Sequence, residues 1–194
     1  AVAITRKEMI SVMINEEDHL RIQVIKSGFL LDEVWEIANA LDDEFDKGLE
    51  YAFSNRFGYL TSCPTNVGTG IRVSVMMHLP GLVYSKQINK ILHAAIKLGL
   101  AVRGLYGEGS EALGNLFQIS NQSSLGISEV DIIKSLNKII NQIITHERNA
   151  RMSFITHNLK LVEDRVGRAL GVLQNARIIS SKESIGLFST LRMG

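Results

Sequence analysis

The 194-residue sequence contains a single cysteine, only two prolines, few aromatic residues and almost no excess of either charge. Cys63 alone cannot form an intramolecular disulfide, which suits a reducing compartment. A formal net charge of +1 provides no bulk attraction for nucleic acid or an anionic membrane. No apolar run reaches membrane-spanning length, and the first residues lack the apolar region of a signal peptide. These absences predict a cytoplasmic protein that binds neither nucleic acid nor membranes directly and whose anion sites depend on locally placed arginines.

The sequence does contain enough apolar residues for a folded core. Hydrophobic residues make up 45% and charged residues 21% of the chain, as in ordinary globular domains. The length allows one substantial core, so we predict one domain over residues 1–194. The chain starts at Ala1 rather than at a methionine, and we expect it to be a fragment of a longer protein.

The residue pattern predicts strands first and helices later. The predicted strands are residues 9–14, 20–25, 59–62, 71–79, 100–103 and 116–120. The predicted helices are residues 31–51, 87–98, 159–173, a long helix through 132–144 and a last helix after Ser180. Ser128 and Ser180 have the spacing of capping boxes with Asp131 and Glu183, and Gly99 is typical of a helix end. This order predicts an α+β fold, an antiparallel β-sheet flanked by helices.

Three polar segments combine arginine with carboxylates, a thiol or glycines at predicted turns and strand ends. They are residues 15–21 (NEEDHLR), 63–72 (CPTNVGTGIR) and 103–108 (RGLYGE). Guanidinium groups bind phosphate oxygens in pairs and stay charged, so converging arginines would neutralise a nucleoside triphosphate. Phosphoryl transfer needs mainly such positioning and charge stabilisation.

The carboxylates fit an acceptor that is itself a guanidinium. A cationic nitrogen must be oriented and must lose a proton before it attacks phosphorus, and two glutamates on different loops could serve both needs. Cys63, in a polar turn before Pro64, is placed to pair with the same cation as a thiolate.

The three segments resemble, in matching order, the signature blocks of the phosphagen kinase, or ATP:guanidino phosphotransferase, superfamily. Residues 103–121 and 175–183 (NARIISSKE) resemble the bacterial protein arginine kinases in particular. The resemblance covers nearly the whole chain and is weakest after about Ile127. It implies the guanidino kinase or glutamine synthetase-like catalytic fold, here as a C-terminal catalytic domain without the N-terminal domain.

The resemblance also implies a role for each block. Glu17 and Glu108 would hold and deprotonate the acceptor guanidinium, and Cys63 would be the reactive thiol beside it. Arg21, Arg72 and Arg103 would bind the ATP phosphates. The implied nucleotide-binding residues are Arg21, Arg72, Val73, Ser74, Val75, Met76, Arg103, Gly104, Leu105, Tyr106, Gly107 and Glu108. Mg²⁺ would bridge phosphate oxygens as part of Mg-ATP, without a metal site built by the protein.

The implied reaction is transfer of the ATP γ-phosphoryl group to arginine side chains in proteins, which marks them for Clp proteases. The implied partners are arginine-containing protein substrates, an activator protein and the Clp ATPase/protease system, with a homodimer left open. The sequence departs from the family at two points. We expect this fragment to lack the family's N-terminal domain, and the residues after Arg192 do not match the Arg-Asp motif that reads phosphoarginine.

Simpler interpretations stay open for each feature. Residues 16–18 alone are typical of a solvated acidic turn, Cys63 of a small buried side chain, and the glycines of ordinary turns. Two other functions also remain: a phosphagen kinase acting on free arginine or a related guanidino compound, and a non-catalytic module that binds nucleotide or phosphoarginine. Intact Glu17, Glu108 and Cys63 favour catalysis, since a binding module needs no base.

Overall fold

A computed structural model of the chain describes residues 1–104 and 112–194. The strands are β1 (Val2–Ile4), β2 (Ile10–Ile14), β3 (Leu20–Val24), β4 (Phe53–Ser54), β5 (Gly58–Tyr59), β6 (Ser74–His78), β7 (Leu100–Gly104) and β8 (Leu116–Asn121). The α-helices are α1 (Leu31–Asp46), α2 (Pro80–Tyr84), α3 (Ile88–Lys97), α4 (Glu129–His157), α5 (Leu159–Asn175) and α6 (Ser181–Met193). The last third is helical, which confirms the predicted α+β class.

The described residues form two compact units. The first contains Ala1–Val73 and Asn121–Asn137, and the second contains Ser74–Ser120 and Lys138–Gly194. The assignment of residues 1–194 to one catalytic domain concerns family architecture and stays a prediction.

The first unit is built on an antiparallel three-stranded sheet in the order β1-β2-β3. Val12 faces Ile22 and Ile14 faces Leu20, so the predicted hairpin forms with its polar loop at residues 15–19. Helix α1 packs on β3. It ends at Asp46 rather than at Tyr51, because Gly48 follows and is a poor helix former. Buried apolar residues of this unit are Val12, Leu31, Ile132, Ile133 and Leu136.

The second unit contains a three-stranded sheet in the order β6-β8-β7. Strands β6 and β8 run antiparallel, with Met77 opposite Phe117 and Val75 opposite Ile119. Its buried apolar residues come from this sheet and from helices α2 to α6: Met77, Leu79, Leu82, Ala95, Leu100, Phe117, Ile119, Ile140, Ile143, Ala150, Val162, Ala169 and Met193. Strands β4 and β5 form a separate antiparallel two-stranded sheet. The strands of the described residues are therefore distributed over several small sheets.

The helix boundaries follow the predicted capping chemistry. The Ser128 hydroxyl accepts the Asp131 amide, and the Ser180 hydroxyl accepts the Glu183 amide, each across 3.2 Å. Gly99 follows α3 with φ +80°, a conformation that favours glycine. Among the described helices, none combines the length and apolar character needed to cross a membrane.

A buried carboxylate fixes helix α2 in the second unit. Glu147 on α4 is only 5% exposed and accepts the amides of Gly81 and Leu82 at 2.8 and 2.9 Å. It also accepts the Arg151 guanidinium at 3.2 Å. A Cβ atom at Gly81 would lie 2.5 Å from the Arg151 backbone nitrogen, so only glycine allows this close approach.

Candidate active site

The loop between β2 and β3 presents Glu17 to solvent. Asn15 adopts φ +54°, its amide donates to the His19 carbonyl across 3.0 Å, and its side-chain oxygen lies 3.0 Å from His19 Nδ1. These contacts close the loop across its base. Glu17 lies near the tip with an exposed side chain.

Ser62 attaches this loop to the segment that carries the thiol. Its amide donates to Asp18 Oδ1 and its hydroxyl donates to the Glu17 carbonyl oxygen, both across 2.7 Å. Ser62 directly precedes Cys63 in the chain. Its two hydrogen bonds therefore connect the loop that carries Glu17 to the turn that carries Cys63, and these are two residues predicted to act on the same acceptor. The bond to Glu17 uses its main chain.

The turn after Ser62 begins with Cys63, which is half-buried. Its carbonyl accepts the Thr61 hydroxyl at 2.7 Å and the Asn66 amide at 3.0 Å, and residues Pro64–Asn66 form a 3₁₀ turn. The Sγ atom lies 3.0 Å from Thr65 Oγ1. The thiol is therefore neither fully buried nor fully exposed, and its side-chain partner is a hydroxyl.

The far end of the turn is held by close backbone packing. Gly68 pairs with Tyr59 through two backbone hydrogen bonds, and the buried Ser124 hydroxyl donates to the Val67 carbonyl across 3.1 Å. Gly68 has φ +118°, and a Cβ atom there would lie 2.5 Å from the Ser124 carbonyl oxygen. This glycine is required by the close approach, and the turn is anchored at both ends.

Arg21 and Glu16 form an exposed ion pair beside this loop. Arg21 lies on β3, and its guanidinium nitrogen is 3.6 Å from Glu16 Oε2, with both side chains more than half exposed. Such a pair is weak because water screens it, so a stronger anionic ligand could replace Glu16.

Arg72 lies in a segment without regular secondary structure that leads into β6. The flanking residues are held by Asn121, which accepts the Val73 amide at 2.8 Å and donates to the Ile71 carbonyl across 3.1 Å. The Asn121 backbone amide also donates to the Val73 carbonyl across 3.2 Å. The Arg72 side chain is exposed between these two anchored neighbours.

The remaining predicted nucleotide residues lie in the second unit or outside the described residues. Ser74 and Met76 are exposed on β6, Val75 is half-buried, and Arg103 and Gly104 end β7. Strands β6 and β7 both neighbour β8. Leu105, Tyr106, Gly107 and the predicted base Glu108 lie outside the described residues.

Of the predicted catalytic residues, Glu17 and Cys63 fall among the described residues, and both lie in the first unit, Glu17 exposed and Cys63 half-buried. Two open cavities of about 600 and 540 Å³ occur there, and Phe53 and Tyr59 line both. Glu17, Arg21, Cys63 and Arg72 line neither. Within residues 1–104 and 112–194, no group of three His, Cys, Asp or Glu side chains is arranged to hold a metal ion.

Three residues that position the site went unassigned in the sequence. The side chains of Ser62, Asn121 and Ser124 form hydrogen bonds to main-chain atoms 45 to 57 positions away. The sequence offered two signals that could have identified them. Ser62 directly precedes Cys63, and Asn121 is the last residue of the block 103–121 that resembles the protein arginine kinases.

The chain belongs to the ATP:guanido phosphotransferase family. Residues 1–150 match the model of the ATP:guanido phosphotransferase C-terminal catalytic domain. Residues 159–194 match the model of the protein-arginine kinase McsB C-terminal domain. The similarity thus extends through the helical part, where the sequence motifs carried the resemblance least.

Among curated proteins, the chain is similar to bacterial protein-arginine kinases. It is 57% identical to that of Pelotomaculum thermopropionicum and 55% identical to that of Brevibacillus brevis, in both cases over 194 residues, all of this chain and 54% of the relative. It is 53% identical to that of Symbiobacterium thermophilum, covering 55% of the relative. The chain therefore spans about half the length of these relatives.

Among solved structures, the chain is similar to phosphagen kinases. The duplicated taurocyamine kinase from Schistosoma mansoni with bound transition state analog components matches with TM-score 0.66 and 27% identity, over 86% of this chain and 24% of that one. Lombricine kinase matches with TM-score 0.65 and 30% identity, over 74% of this chain and 40% of that one.

Proposed function

We propose that this chain is the catalytic domain of a protein arginine kinase, which transfers the ATP γ-phosphoryl group to arginine side chains of proteins. The observation that carries the proposal is the double hydrogen bond of Ser62, which holds the Glu17 loop against the Cys63 turn. A carboxylate and a thiol so placed suit a guanidinium acceptor, because both bind a cation and the carboxylate can also take its proton.

In the proposed reaction, a guanidinium nitrogen gives a proton to a glutamate, either Glu17 or Glu108. The nitrogen then attacks the γ-phosphorus, a nitrogen–phosphorus bond forms, and the bond between the γ-phosphorus and the bridging oxygen breaks. ADP leaves with that electron pair. Arg21, Arg72 and Arg103 stabilise the phosphate charge, as phosphoryl transfer requires.

The nucleotide substrate in this proposal is Mg-ATP, with the metal bound by phosphate oxygens. Ser74, Val75, Met76 and Gly104 line it together with Val73. The similarity to protein-arginine kinases over the full chain supports arginine in proteins as the acceptor. A cytoplasmic setting, an activator protein and delivery of modified proteins to a Clp protease system belong to the same proposal.

A second candidate is a kinase that acts on a small guanidino compound such as free arginine. It is favoured by the structural similarity to a taurocyamine kinase and a lombricine kinase. The two candidates share the phosphate site and differ only in the acceptor.

The test is incubation of the chain with Mg-ATP and either casein or free arginine, with detection of acid-labile, alkali-stable phosphate by mass spectrometry. Phosphoarginine on casein that disappears in Glu17→Gln supports the protein kinase, and phosphorylation of free arginine alone supports the second candidate. ATP binding that Arg72→Ala weakens measurably, without either product, would support the nucleotide site only. Absence of both ATP binding and product would contradict the proposal.

A further inference from the structure

The segment around Arg72 is not part of a regular strand, although it directly precedes one. The ladder between β6 and β8 ends with Ser74 opposite Ser120. Beyond that pair, the Asn121 backbone amide donates to the Val73 carbonyl, and the Asn121 side chain bonds to the Val73 amide and the Ile71 carbonyl. One carboxamide therefore forms hydrogen bonds with both residues that flank Arg72.

The geometry of these bonds is specific to asparagine. The Asn121 Oδ1 atom accepts the Val73 amide at 2.8 Å, while Nδ2 donates to the carbonyls of Ile71 and Ser123 at 3.1 and 3.2 Å. Asn121 thus uses both its acceptor and its donors. Aspartate would lack the donors, and alanine would lack all three contacts.

We infer that Asn121 is a positioning residue that holds Arg72 in the orientation in which it binds a nucleotide phosphate. Arg72 is exposed, and its long side chain has many rotamers. Bonds on both sides fix the direction in which the Arg72 Cα–Cβ bond leaves the backbone, so less conformational freedom is lost when phosphate binds. Because Arg72 binds phosphate only under the proposed function, this role of Asn121 rests on that function.

A double-mutant cycle tests this role, since it separates an effect through Arg72 from a general structural effect. ATP dissociation constants are measured for the unchanged chain, Asn121→Ala, Arg72→Ala and the double variant. Asn121→Ala is expected to weaken ATP binding about five- to tenfold, the effect of one or two lost hydrogen bonds. In the Arg72→Ala background the same substitution is expected to change the dissociation constant less than twofold.

Two controls keep the test decisive. Asn39→Ala removes the hydrogen bond that the Asn39 side-chain amide donates to Asp43 on α1, and it is expected to leave ATP binding unchanged. If Asn121→Ala does not fold, Asn121→Ser replaces it in the same cycle, because a serine hydroxyl can satisfy one of the three groups.

Each outcome bears on a different claim. Equal weakening by Asn121→Ala in both backgrounds would show that Asn121 acts independently of Arg72 and would overturn the inference. Strong weakening by Arg72→Ala with none by Asn121→Ala would overturn the inference and leave the proposed function intact. Unchanged ATP binding in Arg72→Ala would remove the proposed phosphate role of Arg72, and the positioning role with it.

Discussion

The Ser62 amide donates a hydrogen bond to the Asp18 carboxylate across 2.7 Å, although 44 positions separate the two residues. The Ser62 hydroxyl adds a bond to the Glu17 carbonyl. The position of the Glu17 loop relative to Cys63 therefore depends on Ser62, a residue with no predicted role in the reaction itself.

Removal of the Ser62 hydroxyl should slow phosphoryl transfer. Ser62→Ala keeps the hydrogen bond from the backbone amide to Asp18 but loses the hydrogen bond from the hydroxyl to the Glu17 carbonyl. We therefore expect kcat to fall roughly three- to tenfold, the effect of one hydrogen bond. The measurement is the initial rate of casein phosphorylation at saturating Mg-ATP. Ser62→Thr should restore most of the rate. As a control, Ser54→Ala removes a local hydrogen bond from the Arg56 amide and should leave kcat unchanged. An equal loss of kcat in both alanine variants would refute the role of the Ser62 hydrogen bonds, here called the Ser62 tether.

The Cys63 thiol should accelerate the reaction without being essential. Cys63→Ser keeps a partner for Thr65 but replaces a thiol with a hydroxyl that does not ionise near neutral pH. We expect kcat to fall roughly ten- to a hundredfold, the range for losing a charge-assisted bond to the acceptor cation, with ATP affinity unchanged. Steady-state kinetics and an ATP titration measure the two quantities. Full activity in Cys63→Ser would mean that the thiol takes no part.

His78 should make the stability of the second unit depend on pH. Burial, together with the positive charges of Arg151 and Arg192, lowers the pKa of His78 from 6.5 to about 4, and its Nε2 lies 2.8 Å from the Ser189 hydroxyl. The unfolded chain thus binds more protons between these two values, so stability is full above about pH 6.5 and falls as pH drops towards 4. Urea unfolding at pH 7 and pH 5 should show a smaller difference in His78→Gln. His93→Gln, at an exposed position, should keep the original difference.

Loss of the Glu147 carboxylate should destabilise the fold. Glu147→Ala leaves the Gly81 and Leu82 amides without their acceptor and Arg151 without its counterion, so we expect a loss of roughly 3 kcal/mol in the free energy of unfolding. Urea denaturation followed by circular dichroism measures it. Glu163→Ala, on the exposed face of α5, should change stability by less than about 0.5 kcal/mol. Similar losses in the two variants would contradict the assigned role of the buried carboxylate.

Local sequence patterns predicted most of the regular elements. The alternation around Val12 and Ile22 gave the β2–β3 hairpin, and the hydroxyls of Ser128 and Ser180 gave two helix starts. Each of these signals acts between residues close in the chain, which is why a single sequence displays them.

Elements that depend on distant contacts were missed or misplaced. Strand β1 has only three residues, too few to show an alternating pattern, and α2 is held by Glu147 from 65 positions away. The strand predicted over residues 71–79 covers only Ser74–His78, because the segment before it bonds to the Asn121 side chain.

The same limit applies to the candidate site. The sequence motifs identified Glu17, Cys63 and Arg72 through family resemblance, and their roles remain predictions. The tether from Ser62 to Asp18 could not be predicted, since it arises only when the hairpin loop and the turn come together in the folded chain.

The tether to Glu17 engages its carbonyl oxygen, while its carboxylate is exposed. The Glu17 carbonyl oxygen therefore holds the loop in place, while its carboxylate stays available for the predicted reaction. A Glu17→Gln exchange keeps every main-chain contact of the loop, so it should yield a protein that still folds and binds nucleotide but no longer turns it over. One substitution would thus separate nucleotide binding from phosphoryl transfer while every contact that holds the loop stays in place.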